Sequence, residues 1–338
     1  MRTLEELDQR LYTLTDDFIN DVRKLTGDIL ILGAGGKMGP SLAMLAKLAV
    51  EAAGVKKRIV AVSRFSDRKA QRELEGKGIE IISADLMDDD ALQGLPEVEN
   101  VIYMAGTKFG TTGNEHLTWA MNAYLPGRVA TKFRDSKIVV FSTGNVYPLT
   151  STETKGPSET SPVGPVGEYA QSCLGRERIF EHFSHVNNTP VLIYRLNYAI
   201  DLRYGVLLEI AKAVKNMKPI NLSMGYVNVI WQGDANQIAI RCLGLCTSPP
   251  AILNVTGSEC ISVRWIANEF AKLFGIDPVF ENEEQPTALL SNAARMEEIF
   301  TFKKVSVTDM ILMTAEWLQH GGPLLDKPTH FQERTGKF

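Results

Sequence analysis

The run Asp28-Ile29-Leu30-Ile31-Leu32 leads directly into Gly33-Ala34-Gly35-Gly36-Lys37-Met38-Gly39, and this junction constrains the fold more than any other segment. A short apolar run closed by glycines reads as a buried parallel strand. Pro40-Ser41-Leu42-Ala43-Met44-Leu45-Ala46 then reads as the opening of a helix. Strand, glycine turn and helix N-terminus together make an anion site, because backbone N–H groups and the positive end of the helix dipole converge there. Gly33, Gly36 and Gly39 keep the spacing G-x-x-G-x-x-G. The first suits a tight turn, the second a close approach of diphosphate to backbone, and the third helix–strand packing. Gly33, Gly35, Gly36, Lys37, Met38 and Gly39 are therefore candidate dinucleotide-binding residues. The plainer alternative is an ordinary glycine-rich strand–helix turn.

From this point strand and helix alternate. Arg58–Ser63, Gly78–Ser83, Val101–Met104, Lys137–Ser142 and Pro190–Tyr194 have the length and apolarity of strands. Met38–Ala53, Asp67–Glu75, Glu115–Phe133, Gly167–His182 and Gly205–Asn216 read as helices. The alternation predicts an α/β fold, a Rossmann-type doubly wound parallel sheet with ligands at the carboxyl ends of its strands. Past Asp201 the rhythm loosens into strand Val227–Trp231, helix Asp234–Cys246, strand Ile252–Val255 and helices Val263–Leu273 and Val307–Leu318. These read as a smaller lobe laid over the crevice. Before the first strand, Leu4, Leu7, Leu11, Leu14, Phe18, Val22 and Leu25 form one apolar stripe on a single amphipathic helix, packed on its own domain or offered to a partner. The expected division is an N-terminal helix at 1–26, a cofactor-binding domain at 27–200, a substrate lobe at 201–320 with elements partly returning to the core, and a tail at 321–338.

Composition narrows the function classes. A net charge of -4, with no block of Lys or Arg, leaves no footprint for nucleic acid. The apolar run Leu42–Val50 is interrupted by Lys47 and too short to span a bilayer, so no membrane partner is expected. The first 25 residues carry charges throughout and lack the apolar core of a signal peptide. Four cysteines, Cys173, Cys242, Cys246 and Cys260, suit a reducing cytoplasm. Cys242 and Cys246 lie one helical turn apart without a histidine near them, and read as buried helix residues. His182 and His185 read as a surface pair. No metal site is expected.

Two further motifs follow in order: Ser142-Thr143-Gly144-Asn145-Val146-Tyr147-Pro148 after the fifth strand, then Tyr169-Ala170-Gln171-Ser172-Cys173 opening a helix. With the glycine turn, they make residues from Asp28 to Val255 resemble the extended short-chain dehydrogenase/reductase family, the group of sugar-nucleotide epimerases and dehydratases. The resemblance implies a nicotinamide cofactor, a carbohydrate-like substrate and, by family habit, a homodimer. It places Thr143 as the hydroxyl that holds the reacting oxygen, Tyr169 as general acid/base, and Cys173 at the position of the partner residue. Lys108 matches a lysine that contacts the cofactor diphosphate in UDP-galactose 4-epimerase-like members, within the stretch that contains Ala105 and Gly106. Asn122 matches a helix asparagine that supports the active site, and Asp85-Leu86 matches the pair lying along the adenine ring. Plainer roles for Lys108, Asn122 and Asp85 are a surface charge, a solvated helix residue and a turn former. At the end of the second strand, Ser63-Arg64 replaces the acidic residue that binds a ribose 2′-hydroxyl, which favours NADP over NAD. The alternative is an Arg64 that merely stacks on adenine.

The pattern also breaks. The family's Tyr-x-x-x-Lys places its lysine where this chain has Cys173. A free tyrosine titrates near 10, so service as a base near pH 7 needs a shift of roughly 3 units, about 4 kcal/mol. A thiol offers only a weak donor, and a thiolate would move the tyrosine the wrong way. Arg176 lies on the same helical face as Tyr169. Gly144 and Asn145 stand where dehydratases carry acids, which disfavours dehydration by that route. The segment Val227–Asp234 lacks the arginine that grips a nucleotide diphosphate, which favours a smaller carbohydrate or sugar acid, while Arg195-Leu196-Asn197 keeps the family's form after the sixth strand. The first expectation is therefore an atypical NAD(P)-dependent epimerase or oxidoreductase. The second is a cofactor-binding sensor or partner protein with impaired catalysis. The tail, with His330, is expected to fold over the crevice.

Overall fold

The chain is described here from a computed structural model covering residues 1–66, 68–110, 112–325, 327 and 329–337, with Lys69 by its backbone alone. Two helices, not one, precede the first strand: α1 (Leu4–Leu11) and α2 (Asp16–Lys24). The expected single helix is broken because Thr15 turns extended and caps α2, its hydroxyl accepting from Phe18 N–H at 3.3 Å. The stripe therefore serves two cores of its own chain. Leu7 and Leu11 pack into the C-terminal lobe, while Phe18, Val22 and Leu25 pack beside the main sheet.

The main sheet contains β1 (Ile29–Leu32), β2 (Ile59–Ser63), β3 (Glu80–Ser83), β4 (Asn100–Tyr103), β5 (Lys137–Thr143), β6 (Val191–Leu196) and β7 (Ala251–Val255). All pairings are parallel, in the order β3-β2-β1-β4-β5-β6-β7. β1 is buried on both faces, as its unbroken apolar run requires. The winding reverses between β1 and β4, so the crevice opens above those two strands.

Between the strands run α3 (Gly39–Ala52), α4 (Arg68–Gly76), the short α5 (Asp89–Gln93), α6 (Glu115–Trp119), α7 (Leu125–Lys132) and α8 (Gly167–Asn187). The expected start of α4, Asp67, lies outside the described residues. The expected helix 115–133 is continuous but widens into a π turn at Ala120–Tyr124, just ahead of Pro126, which has no N–H to donate.

The smaller lobe holds α9 (Val206–Lys215), α10 (Gln232–Arg241), α11 (Val263–Phe274), α12 (Ala294–Ile299) and α13 (Val307–Gln319). α9, α11 and α13 share one apolar core with Trp231 and Trp317. α10 returns to the main sheet, placing Ile238 and Ala239 in the core of α3, and β7 joins the sheet edge beside β6. The expected strand 227–231 is interrupted. Tyr226–Val227 and Ile230–Trp231 pair separately because Asn228 turns inward, and its Oδ1 accepts from Ser291 N–H at 2.9 Å.

Candidate active site

The glycine turn joins β1 to α3 at the point where the sheet reverses. Gly33 has φ +90°, and a Cβ there would lie 2.6 Å from Ala105 N. At Gly39 a Cβ would lie 2.1 Å from Ala34 O, so helix and turn close only around glycine. A Cβ on Gly36 would meet Gly33 O at 3.5 Å, an ordinary contact. Folding alone therefore does not demand glycine at 36, whereas close approach of a ligand to the backbone would. No side chain caps α3, whose first N–H groups face the turn.

The other candidate cofactor residues line the carboxyl edge on both sides. Ser63, at the end of β2, stands over Gly35, where a Cβ would lie 2.5 Å from its Oγ, and Arg64 beyond it is exposed. Leu86 is buried after β3, whereas Asp85 is exposed and its carboxylate accepts from Met87 N–H at 3.0 Å, a turn-forming role. Lys37 crosses to the β4 side, its Nζ 5.0 Å from the Phe109 ring and 4.9 Å from that of Tyr204. Met38 is buried and forms the N-terminal boundary of α3.

Opposite this edge, β5 ends at Thr143 and α8 carries Tyr169, and the Thr143 hydroxyl acts on the Tyr169 phenol. Thr143 Oγ1 also accepts from Asn145 N–H at 3.2 Å and Asn145 Nδ2 at 3.0 Å. Cys173, one turn along α8, is buried and acts on the same phenol. Burial pushes the Tyr169 phenol well above its ordinary value; Cys173 raises it further, while Arg176 and the Thr143 hydroxyl pull it down. Burial likewise raises the Cys173 thiol, keeping it neutral.

Asn122 ties this group to the loop after β4. It sits in the π turn, fully buried, and its side chain bonds Thr107 N–H at 2.9 Å, Thr107 O at 2.8 Å and Ser172 Oγ at 3.0 Å. The solvated role weighed for it from the sequence does not hold. Arg176 Nη2 donates to Asn122 Oδ1 at 2.8 Å, and Nη1 to Phe141 O at 2.8 Å. Ala105 and Gly106 form the start of that loop, with Gly106 pressed against Arg176. Lys108 leaves the same loop toward Tyr169, its Nζ 5.6 Å from the ring centroid. It is half-buried rather than a surface charge, and burial followed by repulsion from Lys37 lowers its pKa to about 8.

One feature was not legible as part of the site. Glu177 and Arg195 form a buried ion pair beneath Thr143, at 2.7 Å, whose carboxylate also receives Ser142 Oγ. Glu177 lies one turn past Cys173, so helical spacing held the only signal. The tail was expected over the crevice. Arg334 donates to Ser223 O at 2.8 Å, Thr287 O at 2.7 Å and Thr287 Oγ1 at 2.6 Å. Phe331 is buried in the smaller lobe, the His330 ring lies tilted with its centroid 5.4 Å from that of Phe109, and Gly336 packs on Gly167 at the start of α8. The strap so formed crosses the crevice, with residues 326, 328 and 338 outside the described set. Among the described residues no cluster of His, Cys, Asp and Glu could hold a metal, and no helix is long and apolar enough to cross a membrane.

This sheet order, with a glycine turn at its reversal, defines a Rossmann-type nucleotide-binding fold. Residues 29–200, just over half of the chain, match the NAD dependent epimerase/dehydratase family, and the chain belongs to that family. No curated protein sequence matches it significantly. Among solved structures it is similar to the UDP-Glc/GlcNAc 4-epimerase of Campylobacter jejuni, at 20% identity and TM-score 0.69 over 86% of this chain and 98% of that one. It is also similar to a dTDP-glucose 4,6-dehydratase of Bacillus anthracis in complex with NAD, at 14% identity and TM-score 0.73 over 87% and 97%. A UDP-glucuronic acid 4-epimerase of Bacillus cereus in complex with NAD aligns at 17% identity and TM-score 0.68 over 88% and 99%. At these identities the likeness is one of fold.

Proposed function

We propose that this protein is an NAD(P)-dependent epimerase or oxidoreductase acting on a carbohydrate hydroxyl. The observation that carries the reading is the placement of Tyr169 beside Thr143 at the carboxyl edge of the sheet, across from the glycine turn. The turn suits a dinucleotide diphosphate: Gly36 leaves the backbone bare, and uncapped N–H groups of α3 face it. A bound nicotinamide would supply hydride acceptance and return. The rest falls to the chain. Thr143 accepts two bonds from Asn145 and so keeps its own O–H to donate, which orients the substrate oxygen beside Tyr169. Tyr169 holds the proton that leaves or rejoins that oxygen. In this reading residues 27–200 bind the cofactor and residues 201–320 enclose the substrate.

Ser63 and Arg64 support NADP as the preferred cofactor, since a hydroxyl and an exposed guanidinium accommodate a 2′-phosphate. Tighter binding of NAD in a direct titration would refute that preference. A compact sugar or sugar acid is the favoured substrate. The segment Val227–Asp234, without an arginine to grip a nucleotide diphosphate, supports this. A cytoplasmic location and a homodimer belong to the same reading. Leu117, Trp119 and Tyr124, exposed beside α8, offer an apolar face for a second copy, which light scattering would reveal.

The test is turnover of a sugar and sugar-acid panel, followed at the reduced-nicotinamide band. Tyr169→Phe and Thr143→Val should keep cofactor affinity and lose on the order of a hundredfold or more in rate. Wild-type rates in Tyr169→Phe would refute the mechanism. The second reading, a cofactor-binding sensor or partner protein, draws on Cys173, which leaves α8 without its lysine. A wild type that binds cofactor in silence, while Cys173→Lys gains activity, would favour it.

A further inference from the structure

The helix that carries Tyr169 presents a buried neutral thiol one turn on, where a cation would ease formation of phenolate. A lysine reaches that phenol from a different element. Lys108 Nζ lies 5.6 Å from the centroid of the Tyr169 ring and 5.5 Å from that of Phe109, and its charge acts on Cys173. The approach is built into the fold. Thr107, its neighbour, uses both its N–H and its C=O on the Asn122 side chain, which also holds Ser172 and Arg176 of α8. Gly106 carries no Cβ where one would lie 2.3 Å from Arg176 Nη2. Loop and helix are thus clamped together, and Lys108 is delivered to Tyr169 by backbone rather than by chance of a long side chain.

We infer that Lys108 supplies, from the loop after β4, a second positive charge beside Tyr169, in addition to that of Arg176 on α8, and is a positioning residue for the proton-transfer step. The inference rests on Tyr169 serving as the acid/base of the proposed function. An ammonium over the ring of Tyr169 favours the phenolate form over the neutral phenol. Among the described residues, the titratable groups that act on Lys108 are Lys37 of the glycine turn, Glu209 of α9 and the Cys173 thiol of α8. With a pKa of about 8, the lysine is charged at neutral pH and loses its proton above it.

The experiment places a fluorinated tyrosine at position 169 and follows its 19F resonance against pH in the protein free of cofactor and substrate. The fluorinated phenol is more acidic than tyrosine, which brings its titration into reach. Lys108→Arg keeps a permanent charge and Lys108→Met removes it. The phenol should titrate at least about half a pH unit lower in the arginine variant than in the methionine variant, with the wild type near the methionine variant because its lysine has lost its proton by then. Agreement of the two variants within about 0.3 of a unit overturns the inference. Circular dichroism and unfolding midpoints verify the fold, and Lys108→Gln replaces the methionine variant should that one not fold. The two readings fail separately. A Tyr169→Phe enzyme with wild-type turnover removes the acid/base role, whereas an inactive Tyr169→Phe with coincident titrations removes only the part given to Lys108.

Discussion

Glu177→Gln should destabilise the protein far more than a single lost hydrogen bond. Glu177 and Arg195 are 4% and 3% exposed, and two bonds join them, at 3.0 and 2.7 Å. The third guanidinium nitrogen donates to the Tyr147 hydroxyl at 2.7 Å, and Tyr147 passes its own proton to Asn254 Oδ1 at 2.9 Å. Glutamine matches the shape but leaves the guanidinium without a counter-charge in a dry core. Breaking a buried pair from one side costs about 3–5 kcal/mol. Replacing both partners, as Glu177→Leu with Arg195→Met, removes the stranded charge. What remains is an unmet Ser142 hydroxyl, at about 1–3 kcal/mol, because Tyr147 keeps Asn254. The double variant should therefore be more stable than Glu177→Gln alone. Urea unfolding followed by circular dichroism and by fluorescence measures both, provided the two transitions coincide. A loss below about 1 kcal/mol in Glu177→Gln, or a double variant weaker than the single, would refute this reasoning.

Other substitutions test other parts of the molecule. Gly36→Ala should leave the melting temperature unchanged yet weaken cofactor binding, whereas Gly39→Ala, with its Cβ 2.1 Å from Ala34 O, should lower both; calorimetry and reduced-cofactor fluorescence separate them. Asp234 is raised by burial to about 6, against the pull of Val305 N–H, Arg10 and Lys304. The folded state thus holds its proton more tightly than the unfolded one, and the stability this contributes is lost as pH rises from about 4 through 6. Asp234→Asn should be more stable at pH 7 by up to about 3 kcal/mol, with the gain vanishing below about pH 4; a gain independent of pH would contradict it. Arg334→Ala removes three bonds that anchor the strap, so amide exchange over residues 329–337 should speed at least about tenfold while the global unfolding midpoint barely moves.

Much of the scaffold is local in origin and was legible. An unbroken apolar tetrad between a polar start and a glycine turn can only be a buried strand, and its neighbours repeat the pattern, so sheet, turn and switch point follow from periodicity. The boundaries that differ have local causes of a subtler kind. Thr15 competes with helix continuation by capping the next helix, and Asn228 interrupts a strand by spending its side chain on Ser291. Neither is separable from the hydrophobic stripe around it without knowing which side chains are buried.

The candidate site divides along the same line. Thr143, Tyr169 and Cys173 sit at the ends of elements that the sequence announces, so their types and order are legible in the chain alone. What stands beside Tyr169 is not. Lys108 is 61 residues from it in the chain. It arrives there only because Asn122, in a π turn, grips Thr107 on one side and α8 on the other. The Glu177–Arg195 pair and the strap of residues 329–337 are likewise long-range facts. By itself the sequence determined the fold and brought the candidate side chains into view, because those depend on short-range periodicity and on chemistry that residues carry with them. Tertiary structure alone decided the charge, the dryness and the room around them, because electrostatics and burial act through space between segments that the chain keeps far apart.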